Sequence, residues 1–141
     1  MTDNNQKTIP STKDLDKLDS IMDGAKHLLI IVHTNPDPDA IASASALKYL
    51  MEKRYDTEAS IAYSGNIGRA ENQAMIKELN IHMKQIAKIN WDKYDRIATV
   101  DTQPGSGNNV LPADARCDLV LDHHPLLKKV KAELSCIHPE L

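Results

Sequence analysis

The sequence predicts an α/β fold: a mostly parallel sheet with helices on both faces. Two observations carry that prediction. Short apolar, β-branched runs alternate with segments of helical period along the chain. Three of those runs, "LLIIV", "RIATV" and "LVL", end in histidine or aspartate, as expected where a parallel sheet gathers its strand ends at one ligand-binding edge.

The elements follow in order. "MTDNNQKTIPST" is polar and is expected to be a disordered tail, residues 1–12, ahead of one domain over 13–141. From Lys13, apolar Leu15, Leu18, Ile21 and Ala25 recur at helical spacing, and Gly24 stops the helix. "HLLIIV" is short, continuous and apolar, the pattern of a strand buried on both faces. "AIASASALKYLMEKR", from Ala40, reads as a helix whose small face (Ala42, Ser43, Ala46) lies close on the sheet. "TEASIAYSG" is a strand ending at a turn glycine, and "RAENQAMIKELN" a helix with Ala70, Ala74 and Leu79 facing inward. "IHMKQIAKINWDKY" fits neither period. "DRIATV" and "CDLVL" are strands ending at Asp101 and Asp122.

Composition narrows the classes. A chain of 141 residues with 41% hydrophobic content supports one domain with one real core. A net charge of −3, spread along the chain, argues against a surface that is polyanion-binding all over and leaves room for a local basic patch. Trp91, four tyrosines and no phenylalanine are too few for a stacking surface for single-stranded nucleic acid. Cys117 and Cys136 form no C-x-x-C pair, and without a signal peptide the expected compartment is the reducing cytoplasm. Cys117 precedes an apolar run and is expected to be buried. No stretch approaches the roughly 20 apolar residues that span a bilayer, so no membrane partner is expected.

The chemistry lies where the strands end. "LLIIV" runs into His33, followed by Asp37 and Asp39 in a stretch stiffened by two prolines. "RIATV" ends in Asp101 and "LVL" in Asp122-His123-His124. One parallel sheet brings these residues to a single edge. Carboxylates crowded together repel one another unless a cation neutralises them. Carboxylate and imidazole without thiolate suit Mn²⁺, Mg²⁺ or Fe²⁺ better than structural zinc. The ligands outnumber the needs of one ion. Two ions about 3.5–4 Å apart need a bridging carboxylate, and Asp101 is the candidate because a strand tip holds it rigidly. Such a pair hydrolyses phosphate esters, and a helix starting near Ala40 would turn its N-terminus towards the same edge.

At these residues the chain resembles the DHH phosphoesterases, which include RecJ-like exonucleases and nanoRNA/pAp phosphatases. "HTNPDPDAIASASAL" is similar to that family's first motif, H-x-x-x-D-x-D-A followed by small residues, here Ala42-Ser43. "TVDTQPGSGNN" looks like the second, and "LVLDHHP" is the eponymous third. The resemblance implies a hydrolase with two divalent ions, usually Mn²⁺, held by His33, Asp37, Asp39, Asp101 and His123. It implies that His124 sits near the phosphate and that Asp122 orients the imidazoles from behind. A fourth motif, with another aspartate, and a smaller substrate-gripping domain are not found in this chain. The chain is thus expected to be the front part of a longer enzyme, inactive alone, and a homodimer is one possible outcome of its uncovered apolar surface.

The expected substrate is a short oligonucleotide or a nucleotide. A DHH-type inorganic pyrophosphatase is the alternative, disfavoured because Thr102 stands where a histidine is expected. A nucleotide-binding regulatory module without catalysis is a third reading, weakened by the intact ligand set. Arg69 and Asn72 could reach a substrate phosphate or could simply open a solvated helix. "GSGNN" could offer backbone amides to a phosphate or be a plain loop, and Lys128, Lys129 and Lys131 could attract an anion. His27, His82 and His138 lie outside the motifs and read as surface or filler residues.

Overall fold

The computed structural model describes residues 11–127 and 130–139. The expected tail lies outside the described residues as far as residue 10, and so do Lys128 and Lys129. Ser11 already caps the first helix, α1 (Thr12–Met22), in a reciprocal box with Asp14. Ser11 and Thr12, placed in the tail by the sequence reading, belong to this cap and helix.

Six strands follow: β1 (His27–Ile31), β2 (Glu58–Tyr63), β3 (Met83–Gln85), β4 (Arg96–Val100), β5 (Leu119–Asp122) and β6 (Leu134–Ile137). All pair in parallel, in the order β3-β2-β1-β4-β5-β6. The chain steps outward from β1 to β3, returns to the middle, then steps outward the other way from β4. Strand order reverses at the β1–β4 seam, where an open α/β sheet leaves a crevice at the carboxyl ends.

β1 explains its own apolar run. Leu28, Ile30 and Val32 join one core cluster with Leu18 and Ile21 of α1 and with Ala44, Leu47 and Met51 of α2 (Pro38–Tyr55). Leu29 and Ile31 point the other way, into a cluster with Ala62, Leu111, Ile86 and Ile97. That second face is covered by Ile86 of a 3₁₀ turn (Ile86–Lys88), by Ile89, by Tyr94 just after a second such turn (Trp91–Lys93), and by Leu111 and Ala115 of the loop after β4.

Two helical faces differ from expectation. In α2 the buried residues are Ala40, Ile41, Ala44, Leu47 and Met51, whereas Ala42 and Ala46 are exposed. The larger Ile41, Leu47 and Met51 set the inward stripe, and Ala42 and Ala46 lie about half a turn away from it. Small residues do let the helix approach the sheet, but they are Ala40 and Ala44, both fully buried. In α3 (Ala70–Glu78), Asn72 is buried and Met75 and Ile76 are half-buried, while Ala70, Ala74 and Leu79 face solvent. Leu79 sits past the last helical turn, where the helical period no longer sets its direction. The unassigned stretch holds β3 and both 3₁₀ turns.

Cys117 is buried as expected. Burial pushes its thiol up to about 11 from an ordinary 9.0. A folded-state pKa above the unfolded one adds stability below pH 9 that is lost as pH rises through about 11. The loss is about 3 kcal/mol. We expect unfolding midpoints taken from pH 8 upward to fall more steeply for the wild type than for Cys117→Ala. Equal slopes would assign the alkaline loss to other groups.

Candidate metal centre

His33 lies two residues past the end of β1, at the reversal of strand order. Its Nδ1 donates to the Thr34 carbonyl at 2.9 Å, since a carbonyl can only accept. That turns Nε2 to the carboxylates, 3.5 Å from Asp37 Oδ1 and 3.5 Å from Asp101 Oδ2. A neutral imidazole oriented by a backbone carbonyl is the form that ligates metals.

Asp37 has two tasks. It is the N-cap of α2, accepting from the Ala40 amide at 3.0 Å, with Pro38 fixing the first helical residue. Partial burial opposes its charge, but the Ala40 N–H and the nearby His33 outweigh this and hold its carboxyl below the usual range.

Asp101 ends β4 in the left-handed region, at φ 58°, where aspartate is among the few non-glycine residues at ease. Its amide donates to Leu121 O at 2.9 Å, which fixes it against β5. Only 6% exposed, it accepts from His123 Nε2 at 2.9 Å through Oδ1. Burial and the charges of Asp39 and Asp37 push its pKa up, with His33 and His123 pulling the other way. This is a carboxylate whose ionisation is resisted until a cation arrives.

The third strand end is a relay. Asp122 Oδ1 accepts from His124 Nδ1 at 2.6 Å and from the His123 amide at 2.9 Å, and its Oδ2 accepts from Gln103 Nε2 at 2.7 Å. Burial resists its charge, but the Gln103 and His124 hydrogen bonds win and lower its pKa. The same bond raises the pKa of His124. Asp39 Oδ2 lies 3.5 Å from His123 Nε2.

All seven residues expected at the edge thus meet there. Six of them form two groups, within each of which the ligand atoms lie within 4.8 Å of one another: His33-Asp37-Asp101 and Asp101-Asp122-His123-His124. Asp101 belongs to both. Asp39 is exposed and falls outside both groups, reaching only His123. Either group has the oxygen and nitrogen donors, without thiolate, that suit Mn²⁺, Mg²⁺ or Fe²⁺.

Three clefts surround the cluster. Arg69 and Asn72 line one of about 450 Å³ beside Asp37. Asp39, Asp101, His123, Cys136 and His138 line another of about 400 Å³. Thr102, Gln103, His124 and Leu127 line a third of about 310 Å³. Part of the loop "GSGNN" is tied internally: the Gly105 amide bonds Leu111 O, the Ser106 amide bonds Gln103 O, and Asn109 ties Thr102. Sequence reasoning missed Gln103, because a glutamine after a strand looks like ordinary loop. It also missed β6 and so read His138 as filler, although β6 brings His138 to the cleft wall.

The N-terminal domain model of the DHH family matches residues 27–141. An uncharacterized protein of Methanocaldococcus jannaschii is 49% identical over 98 residues, which are 69% of this chain and 20% of that protein. The crystal structure of an exopolyphosphatase-related protein from Bacteroides fragilis has the same fold, with a TM-score of 0.59 at 17% identity, covering 93% of this chain and 40% of that one. The chain thus spans about a fifth of the first relative and two fifths of the second. With most of its length, and all three strand-end motifs, inside that family match, the chain belongs to the DHH family.

Proposed function

We propose that this chain carries the metal-binding half of a phosphoesterase that hydrolyses phosphate esters of nucleotides or short oligonucleotides. The observation that carries the reading is the sharing of Asp101 between two His/Asp groups at one sheet edge. In this reading His33, Asp37 and Asp101 hold one divalent ion, and Asp101, His123 and Asp39 the other. When bound, two such ions, Mn²⁺ by preference, would supply a water of lowered pKa and positive charge for the phosphoryl oxygens. His124 is held by Asp122 through Nδ1, and as an imidazolium it would give the Nε2 proton to the departing oxygen, leaving the neutral ring with its remaining proton on Nδ1. Arg69, in the cleft beside Asp37, supplies positive charge for a substrate phosphate.

A second reading follows from the Bacteroides protein's description as exopolyphosphatase-related: cleavage of phosphoanhydrides instead of esters. The separating test assays the chain, and any longer protein containing it, on pAp, a dinucleotide, pyrophosphate and polyphosphate with Mn²⁺. Turnover of the esters with two ions bound per chain is expected. Turnover confined to pyrophosphate or polyphosphate would overturn the first reading in favour of the second. Loss of all metal binding in a folded protein would remove both.

A further inference from the structure

We propose that Gln103 is a positioning residue: it fixes the orientation of Asp122 and, through Asp122, of His124. The inference rests on the phosphoesterase reading for its kinetic consequence and on geometry for everything else. Gln103 lies two residues past Asp101, outside the aspartate and histidine pattern, and is 2% exposed. Its Nε2 donates to Asp122 Oδ2 at 2.7 Å and lies 3.1 Å from Pro125 O and 3.4 Å from His124 O. Its Oε1 accepts from the Leu127 amide at 3.0 Å. One buried amide thus ties the loop after β4 to the loop after β5.

The contact with Asp122 is the shortest of the four, and it decides which carboxylate oxygen is free. With Oδ2 taken, Oδ1 faces the His123 amide and His124 Nδ1. A carboxylate only accepts, so His124 keeps a proton on Nδ1 and turns Nε2 to the cleft that it lines with Gln103, Thr102 and Leu127. Stapling the loops needs only the bonds to Pro125 O and Leu127 N–H. Orienting Asp122 needs a donor at one point. Glutamate there would keep the shape and the Leu127 bond but set a second carboxylate against Asp122. Methionine would keep the volume and leave Asp122 Oδ2 buried without a partner.

The experiment compares Gln103→Met and Gln103→Glu with the wild type. In ¹⁵N-histidine NMR of the metal-free chain, both variants are expected to shift the His124 Nδ1 proton signal. In the form of the protein that turns over, kcat is expected to fall about 10–100-fold, with KM within about threefold. In a His124→Gln background, Gln103→Met is expected to cost less than about twofold more, because the residue acts through His124. An unchanged His124 signal, an equal kcat loss in both backgrounds, or unfolding of both variants would overturn the proposal and leave Gln103 a loop staple. If the wild type hydrolyses no phosphate ester, the proposed reaction fails, and the His124 signal still decides the role of Gln103.

Discussion

Asp101→Asn is expected to lower metal-dependent turnover by on the order of 10³-fold or more while the fold stays intact. The backbone tolerates the change, because asparagine is as much at home as aspartate at φ 58°. The side chain does not replace what is lost. An amide has one neutral acceptor oxygen, where the carboxylate offers two anionic ones, to His123 and towards His33. A lost bridge costs several kcal/mol of transition-state stabilisation. Stability should move the opposite way in the absence of metal. Burial and the charges of Asp39 and Asp37 raise the Asp101 pKa, so the folded state binds its proton more tightly than the unfolded chain does. That preference stabilises the metal-free protein below the unfolded pKa and is lost as pH rises through the folded one. At neutral pH an uncharged asparagine avoids the burden of the buried charge. Melting curves with and without Mn²⁺ check this: the variant should match or exceed the metal-free wild type and gain little from the ion. Near wild-type hydrolysis by the variant would show that Asp101 is not the bridge.

Asp37 gives the second large effect, divided between two substitutions. Asp37→Asn keeps a cap oxygen for the Ala40 amide, so stability should hold within about 0.5 kcal/mol. The anionic ligand facing His33 is gone, however, and activity at limiting Mn²⁺ should fall by on the order of 10²-fold. Asp37→Ala loses the cap as well and should cost a further ~1 kcal/mol in urea unfolding. Wild-type metal dependence in the asparagine variant would reduce Asp37 to a helix cap. Equal stability of the two variants would instead remove the cap from the account.

The fold was readable wherever one physical cause dominated. β1 is apolar from Leu28 to Ile31 because both faces of a central parallel strand are covered, and no other cause competes there. The site was readable for a related reason: a strand that ends in His33 or Asp101 needs only a parallel sheet to become part of an edge. The inward faces of α2 and α3 were misjudged because small size was taken as the sign of close packing. In α2 the stripe follows Ile41, Leu47 and Met51, and in α3 a polar residue, Asn72, is the buried one. β6 escaped notice because three half-exposed residues and one exposed residue at a sheet edge carry little periodic signal. Gln103 escaped because its role depends on what lies across from it, and one sequence does not show that.

The reversal of strand order at the β1–β4 seam also bears on how the molecule assembles. His33, Asp37 and Asp39 belong to the half of the sheet that holds β1, β2 and β3. Asp101, Asp122, His123 and His124 belong to the half that holds β4, β5 and β6. The halves meet where Leu28 pairs with Arg96 and Ile31 with Thr99, a contact between residues far apart in the chain. Joining segments so distant is an entropically costly and slow step of folding. Neither half alone contains the pairing of His33 with Asp101 that links the two ligand groups. The group of His33, Asp37 and Asp101 therefore comes into existence only when the seam closes, and an ion bound there would act as a clasp between two halves built from separate stretches of sequence.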